Sequence, residues 1–247
     1  MLACGGDESA SDCRQAVFSF AKQALIKVAM SKQQELASQA PPENVDRRRV
    51  GELTKARIDA AAVDLFFERG FRRTTMREIA TACDLTPAAF YNHYTSKDDL
   101  LLELILTAFE SLDSALTGAL QQADSAAKSQ VIAFARTMTI WHCTNFRLAR
   151  VSGRETQELP DEYGDKVRTR LNGLRIRLEE IITEGASNGE FTLPGPVDTT
   201  APIAASTMLG LVRSIPNWQT EKHGTPEEMG DIIAALIVRM FGAELTD

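Results

Sequence analysis

The stretch GFRRTTMREIATACDLTPAAFYNHYTSKDDL, residues 70–100, decides how the rest of the chain is read. Gly70 supplies the left-handed stop that closes many helices. The run it closes, 53–69, repeats Ile58, Ala61, Ala62, Leu65 and Phe66 at the spacing of one buried helical face. A short helix is predicted from Thr75 to about Ala82, capped by Thr74 and burying Met76, Ile79 and Ala80. Thr86-Pro87 starts another, running to about His93. The threonine oxygen accepts from an orphan N–H, and a proline at the first helical position has no N–H to waste. Between the two lies Cys83-Asp84-Leu85. Asp84 tolerates the left-handed backbone of a tight turn, and Leu85 is the expected buried residue. Ser96-Lys97-Asp98-Asp99 opens a further helix, with Ser96 as N-cap and acids at its positive end.

Two short helices so joined form a helix-turn-helix, whose first member crosses a DNA backbone while the second enters the major groove. We assign residues 48–100 to this domain, 1–47 to an N-terminal extension and 101–247 to a second helical domain. Hydroxyls, helix-start N–H groups and a lysine are the donors that phosphate oxygens need. The amide of Asn92 suits an adenine edge, and the Ala88 methyl suits a thymine methyl.

The residues Gly70, Thr74-Thr75, Ile79-Ala80, Ala82, Leu85-Thr86, Phe90-Tyr91, His93-Tyr94, Lys97 and Leu100, at these spacings, resemble the DNA-binding signature of the TetR family of transcriptional regulators. The resemblance implies an all-α homodimer, each subunit with a three-helix DNA-binding domain and a six- or seven-helix ligand-binding and dimerisation domain. It also implies phosphate contacts from Thr75, Tyr91, His93 and Lys97, and contacts with base edges or the adjacent backbone from Thr86, Pro87, Ala88 and Asn92. Three positions depart from the family pattern. Asp84 stands where glycine is usual, Tyr94 replaces phenylalanine, and Pro87-Ala88 replaces a polar-glycine pair.

The net charge of −7 excludes bulk attraction to a polyanion, so a nucleic-acid surface must be local. Arg47-Arg48-Arg49 is expected to precede the first helix, either as an arm reaching DNA or as a solvated charge run. Upstream, 17–28 has the pattern of one amphipathic helix, Pro41-Pro42 marks a linker, and Met30 offers an alternative start. Met1-Leu2-Ala3-Cys4-Gly5 lacks the basic start and apolar run of a lipoprotein signal. Cys4, Cys13, Cys83 and Cys143 form no C-x-x-C pair, so neither a metal site, a cofactor nor a disulfide framework is expected, and the cytoplasm is the expected location. No apolar run is long enough to span a membrane.

Beyond residue 100, helices are predicted near 126–142, 144–153, 161–187, 198–216 and 226–243, with no period-2 alternation anywhere. The last two carry broad apolar stripes. From them Met208, Leu211, Ile215, Ile233, Leu236, Ile237 and Met240 are candidate dimer contacts, since a helix-turn-helix reads a near-palindromic operator with two copies. Phe134, Met138, Trp141, His142 and Phe146, with Arg150 beyond, are candidate ligand contacts, although aromatics at helical spacing also serve as plain core. The stretch 150–182, with Glu184-Gly185, Gly189-Glu190-Phe191 and the Trp218 region, resembles the effector domains of regulators of lipid or steroid catabolism. That resemblance implies a hydrophobic effector such as an acyl-CoA or fatty acid. A TetR-like protein acting through protein partners, without a small molecule, is the competing expectation. Catalysis is not expected: no nucleophile elbow, phosphate loop, H-E-x-x-H or paired-cysteine pattern occurs.

Overall fold

An apolar side chain every three to four residues, with turn residues between the runs, builds helices and nothing else. The computed structural model describes residues 42–242, and among these are nine α-helices, two 3-10 turns and no strand. The chain divides into two compact units, the first ending at Ser96 and the second beginning at Lys97. Lys97, placed above in the 48–100 domain, therefore opens the second unit.

The first unit holds α1 (Pro42–Arg69), α2 (Met76–Ala82) and α3 (Pro87–Tyr91). α1 begins at Pro42 rather than near residue 53. Proline suits a first helical turn, whose N–H groups lack intrahelical partners in any case. Arg47-Arg48-Arg49 consequently lies inside the helix and does not precede it. The helix predicted over 17–28 falls outside the described residues. Ile58, Ala62, Val63 and Phe66 of α1 are buried with Phe71, Ile79, Phe90 and Tyr94, whereas Ala61 and Leu65 are half-buried. At the end of α1, Gly70 takes φ 84° and its N–H reaches the Phe66 carbonyl at 2.9 Å. That conformation costs glycine little and most residues more.

The second unit contains α4 (Lys97–Gln122), α5 (Ala127–Thr144), α6 (Phe146–Glu155), α7 (Asp161–Ser187), α8 (Val197–Trp218) and α9 (Pro226–Met240). These bounds lie close to those predicted. α5 is the central member, packed against each of the other five. Its first turn lacks a local side-chain cap. Instead Glu190, from the connection after α7, accepts from Ala127 N–H at 3.2 Å and Lys128 N–H at 3.0 Å. A carboxylate there meets the positive end of the helix dipole. Leu101, Ile105, Leu116, Phe134, Met138, Leu178 and Ile182 are fully buried. Each such side chain contributes about 1.5–3 kcal/mol relative to exposure.

Gly185 sits in the last turns of α7 because Phe191 folds back onto it. A Cβ there would stand 2.3 Å from Phe191 Cε2 and 2.8 Å from Ala127 Cβ.

Candidate DNA-binding surface and effector cavity

The helix-turn-helix is held by three local devices. At the start of α2, Thr75 accepts from Glu78 N–H at 3.2 Å while Thr75 N–H and its hydroxyl both donate to Glu78 Oε2 at 2.8 Å. This reciprocal capping box makes Thr75 the N-cap, in place of the expected Thr74. The hydrogen bond from the Thr75 hydroxyl, then that from its N–H, then the Arg69 charge hold the Glu78 carboxyl below its ordinary range. Thr74 is buried, and its hydroxyl donates to the carbonyls of Gly70 and Leu65 at 2.9 and 3.3 Å.

The turn is fixed next. Asp84 adopts φ 54°, the left-handed conformation expected of it. Arg57 Nη2 donates to the Cys83 carbonyl at 2.6 Å, and Cys83 Sγ lies 3.6 Å from the Arg57 carbonyl. Cys83 is buried, which raises its thiol pKa. Leu85 is only half-buried, so Cys83 and Phe90 supply the inward packing that was assigned to it. Thr86 then caps α3 by accepting from Ala89 N–H at 3.2 Å, with Pro87 in the first turn. α3 ends at Tyr91. Asn92 keeps helical dihedrals, and the N–H groups of His93 and Tyr94 both return to the Phe90 carbonyl.

Phe90 and Tyr94 point inward and fix the roll of α3. Thr75, Thr86, Pro87, Ala88, Tyr91 and Asn92 are left exposed, and His93 is half-buried. Tyr91 is the large ring on this face, 54% exposed. Lys97, half-buried, is the first residue of α4.

Within the second unit, α4 to α8 line a cavity of about 530 Å³ that is partly open to solvent, with Arg150, Arg154 and Arg213 exposed at its edge. Of the candidate ligand contacts, Met138, Trp141, His142 and Arg150 line it. Phe134 and Phe146 do not: Phe134 has no exposed surface at all and belongs to the core. The apolar wall is completed by α4 residues such as Phe109 and Leu112 and by Leu171 and Leu174 of α7. Sequence reasoning missed the contribution of α8, which brings Leu209, Arg213, Ser214, Pro216 and Asn217. A single arginine between Leu209 and Pro216, in a run otherwise read as stripe, was the signal available.

The charges on this wall are one-sided. Arg150, Arg154 and Arg213 line the cavity and no aspartate or glutamate does. Arg154 is joined to the buried Glu155 at 2.6 Å. Arg213 is exposed, and partial desolvation of its guanidinium lowers its pKa. His142 is pushed down to about 4, chiefly by burial, with the Arg213 charge adding and a hydrogen bond to the Met138 carbonyl opposing. Trp141 is held from the side by its indole N–H, 3.1 Å from Ser111 Oγ. Pro216 lies inside α8 and cannot donate to the carbonyl one turn back.

The candidate dimer residues separate into two groups. Met208, Ile215, Ile233 and Ile237 are buried inside their own subunit, so they are core and not a contact surface. Leu211 is half-buried. Leu236 and Met240 are half or more exposed, and with Ile232 they form an outward line at i, i+4, i+8 on α9. Ile203 on α8 is exposed as well. Among the described residues no cluster of His, Cys, Asp and Glu could hold a metal ion, and no helix is long and apolar enough to cross a membrane.

A helix-turn-helix followed by a helical domain with a cavity defines a class, and comparison with known proteins gives it a name. Residues 58–104 match the model of bacterial regulatory proteins of the tetR family, and 124–241 match the tetracyclin repressor-like C-terminal domain. The chain belongs to the TetR family of transcriptional regulators, and it is not an enzyme. Among curated relatives, the HTH-type regulator YerO of Bacillus subtilis is 46% identical over 48 residues, 19% of this chain and 17% of that one. The chain spans less than a third of the length of the curated relatives it matches.

Solved structures match over far more. A tetR-family regulatory protein from Rhodococcus RHA1 is 28% identical, with TM-score 0.71 over 78% of this chain and 98% of that one. AibR in complex with isovaleryl coenzyme A and operator DNA is 22% identical, with TM-score 0.67 over 77% of this chain and all of that one, a likeness of fold.

Proposed function

We propose that this chain is a ligand-responsive repressor, a homodimer that holds a near-palindromic operator and lets go when a hydrophobic, anionic small molecule fills the cavity of its second unit. The observation that carries this reading is the cavity wall: apolar side chains from five helices, three guanidinium groups and no carboxylate, in a chain of net charge −7. A volume of about 530 Å³ is that of an ordinary small-molecule site. An acyl-CoA or a fatty acid has the matching chemistry, and a protein of the same fold, AibR, is crystallised with isovaleryl coenzyme A and operator DNA. Such a cavity weighs against a role exercised through protein partners alone.

On the DNA side, Thr75, Tyr91, His93 and Lys97 are assigned to phosphates and Thr86, Pro87, Ala88 and Asn92 to base edges or adjacent backbone. The exposed Leu236 and Met240, with Leu211 of α8, are assigned to the dimer contact, together with the exposed Ile232 and Ile203. The dimer presents its two reading helices about 34 Å apart, one turn of DNA. Ligand binding favours a conformer in which that spacing is lost, and release follows from the difference in affinity between the two states. Action on chromosomal DNA places the protein in the cytoplasm.

The test is a mobility shift with DNA from the protein's own promoter region. A retarded complex that dissolves on adding decanoate or decanoyl-CoA is expected. Removing Lys97 and Tyr91 together should weaken binding, with the salt dependence flattened by about one counterion for the lysine. A complex indifferent to every acid and thioester tried would refute the switch.

A further inference from the structure

Two polar groups from different helices line the same cavity with hydrogen-bonding capacity unspent. On α5, His142 Nδ1 lies 2.8 Å from the Met138 carbonyl. A carbonyl oxygen only accepts, so Nδ1 carries the ring proton. Burial keeps the ring neutral, and a neutral imidazole protonated at Nδ1 has a bare lone pair at Nε2. Among the described residues nothing donates to that nitrogen. On α8, Arg213 brings a guanidinium, with no carboxylate on the wall to neutralise it. The Arg213 charge disfavours the imidazolium of His142, and both residues line the cavity.

These groups ask for different things. The guanidinium asks for an anion. The imidazole lone pair asks for a hydrogen-bond donor, which a plain carboxylate or thioester does not have. A buried acceptor left without a donor costs more than the bond gains, so a ligand lacking that donor is discriminated against. We propose that the effector is an amphipathic acid that also bears a hydroxyl group, with its anion on Arg213 and its hydroxyl donating to His142 Nε2. The inference rests on the cavity being an effector site and narrows the class of effector within it.

The test compares decanoate with a series of hydroxydecanoates in which the hydroxyl is moved along the chain, each titrated into the full-length protein by calorimetry. At least one hydroxy acid should bind about threefold to tenfold more tightly than decanoate, the range of one net hydrogen bond. Its methyl ether, which accepts but cannot donate, should lose that advantage. His142→Phe should abolish the preference between hydroxy acid and decanoate, whereas Arg213→Gln should weaken both alike. The comparison of hydroxy acid, ether and decanoate on the unaltered protein stands whether or not the variants fold. Equal binding of all three overturns the inference and leaves the anionic-effector reading intact. If no acid binds at all, both fall.

Discussion

The phenolic hydroxyl of Tyr94 donates to the carboxylate of Asp59 at 2.5 Å, joining the residue just beyond the reading helix to the middle of α1 across 35 positions of sequence. Lys55, one turn before Asp59, approaches the same carboxylate at 2.9 Å and lies over the Tyr94 ring at 5.5 Å. The family's usual phenylalanine would fill the space without this bond. Tyr94→Phe should therefore lower stability by about 1–2 kcal/mol, the cost of a hydrogen bond to a charged group whose other partner remains. Urea unfolding measures it. A midpoint equal to that of the parent protein would show the contact to be energetically idle.

His142 gives the second unit a pH dependence of known sign. The ring titrates near 6.5 when free and at about 4 when folded. Between those values the unfolded chain binds more protons, so stability is complete above about pH 6.5 and falls as pH is lowered toward 4. The full span is about 3 kcal/mol. Denaturant midpoints taken across that window should show the decline, and His142→Phe should flatten it. A decline that persists unchanged in the variant would belong to other groups.

The two groups of apolar residues on α8 and α9 should respond differently to a charge. Leu236→Glu places a carboxylate on an exposed line and should yield a folded protein of half the native mass by sedimentation. Ile237→Glu, one position on, buries a charge in the subunit's own core and should unfold it. If both variants stay dimeric and folded, α9 is neither interface nor core as described.

On α7, two glycines predict opposite outcomes. Gly185→Ala forces a methyl group against Phe191 and should cost about 1–3 kcal/mol. Gly173 has nothing within 4 Å of an added Cβ. Gly173→Ala should instead stabilise by about 0.5–1 kcal/mol, the helical preference of alanine over glycine. Thermal melts of the two single variants settle the pair.

Much of this was legible in the sequence because it is locally encoded. Thr86-Pro87, Gly70 and the apolar periodicities each specify their own helix boundary, and Asp84 specifies its own φ. The Thr75 cap was legible too, since a threonine followed three residues later by Glu78 is a capping box, and the neighbouring Thr74 drew the assignment away. The start of α1 was not: the Pro41-Pro42 pair reads as a linker, and only the structure shows the helix springing from its second proline.

The faces of α8 and α9 were illegible for a deeper reason. Periodicity shows that Ile233 and Ile237 share a stripe, but not whether the subunit itself or a second copy covers it. The same holds for the cavity. Met138, Trp141 and His142 could be gathered from one helix, whereas Arg213 joins them only through packing of α8 that no local pattern announces.

Glu190 and Phe191 make the connection between α7 and α8 a poor place to cut or to splice. Its surface turn and its glycines give it the look of a segment that would accept a tag or yield to a protease. Yet one of its side chains plugs the amino end of α5 and the next seals the last turns of α7. Any insertion there would draw a stopper out of the scaffold that carries Met138, Trp141 and His142, and reporters are better grafted elsewhere.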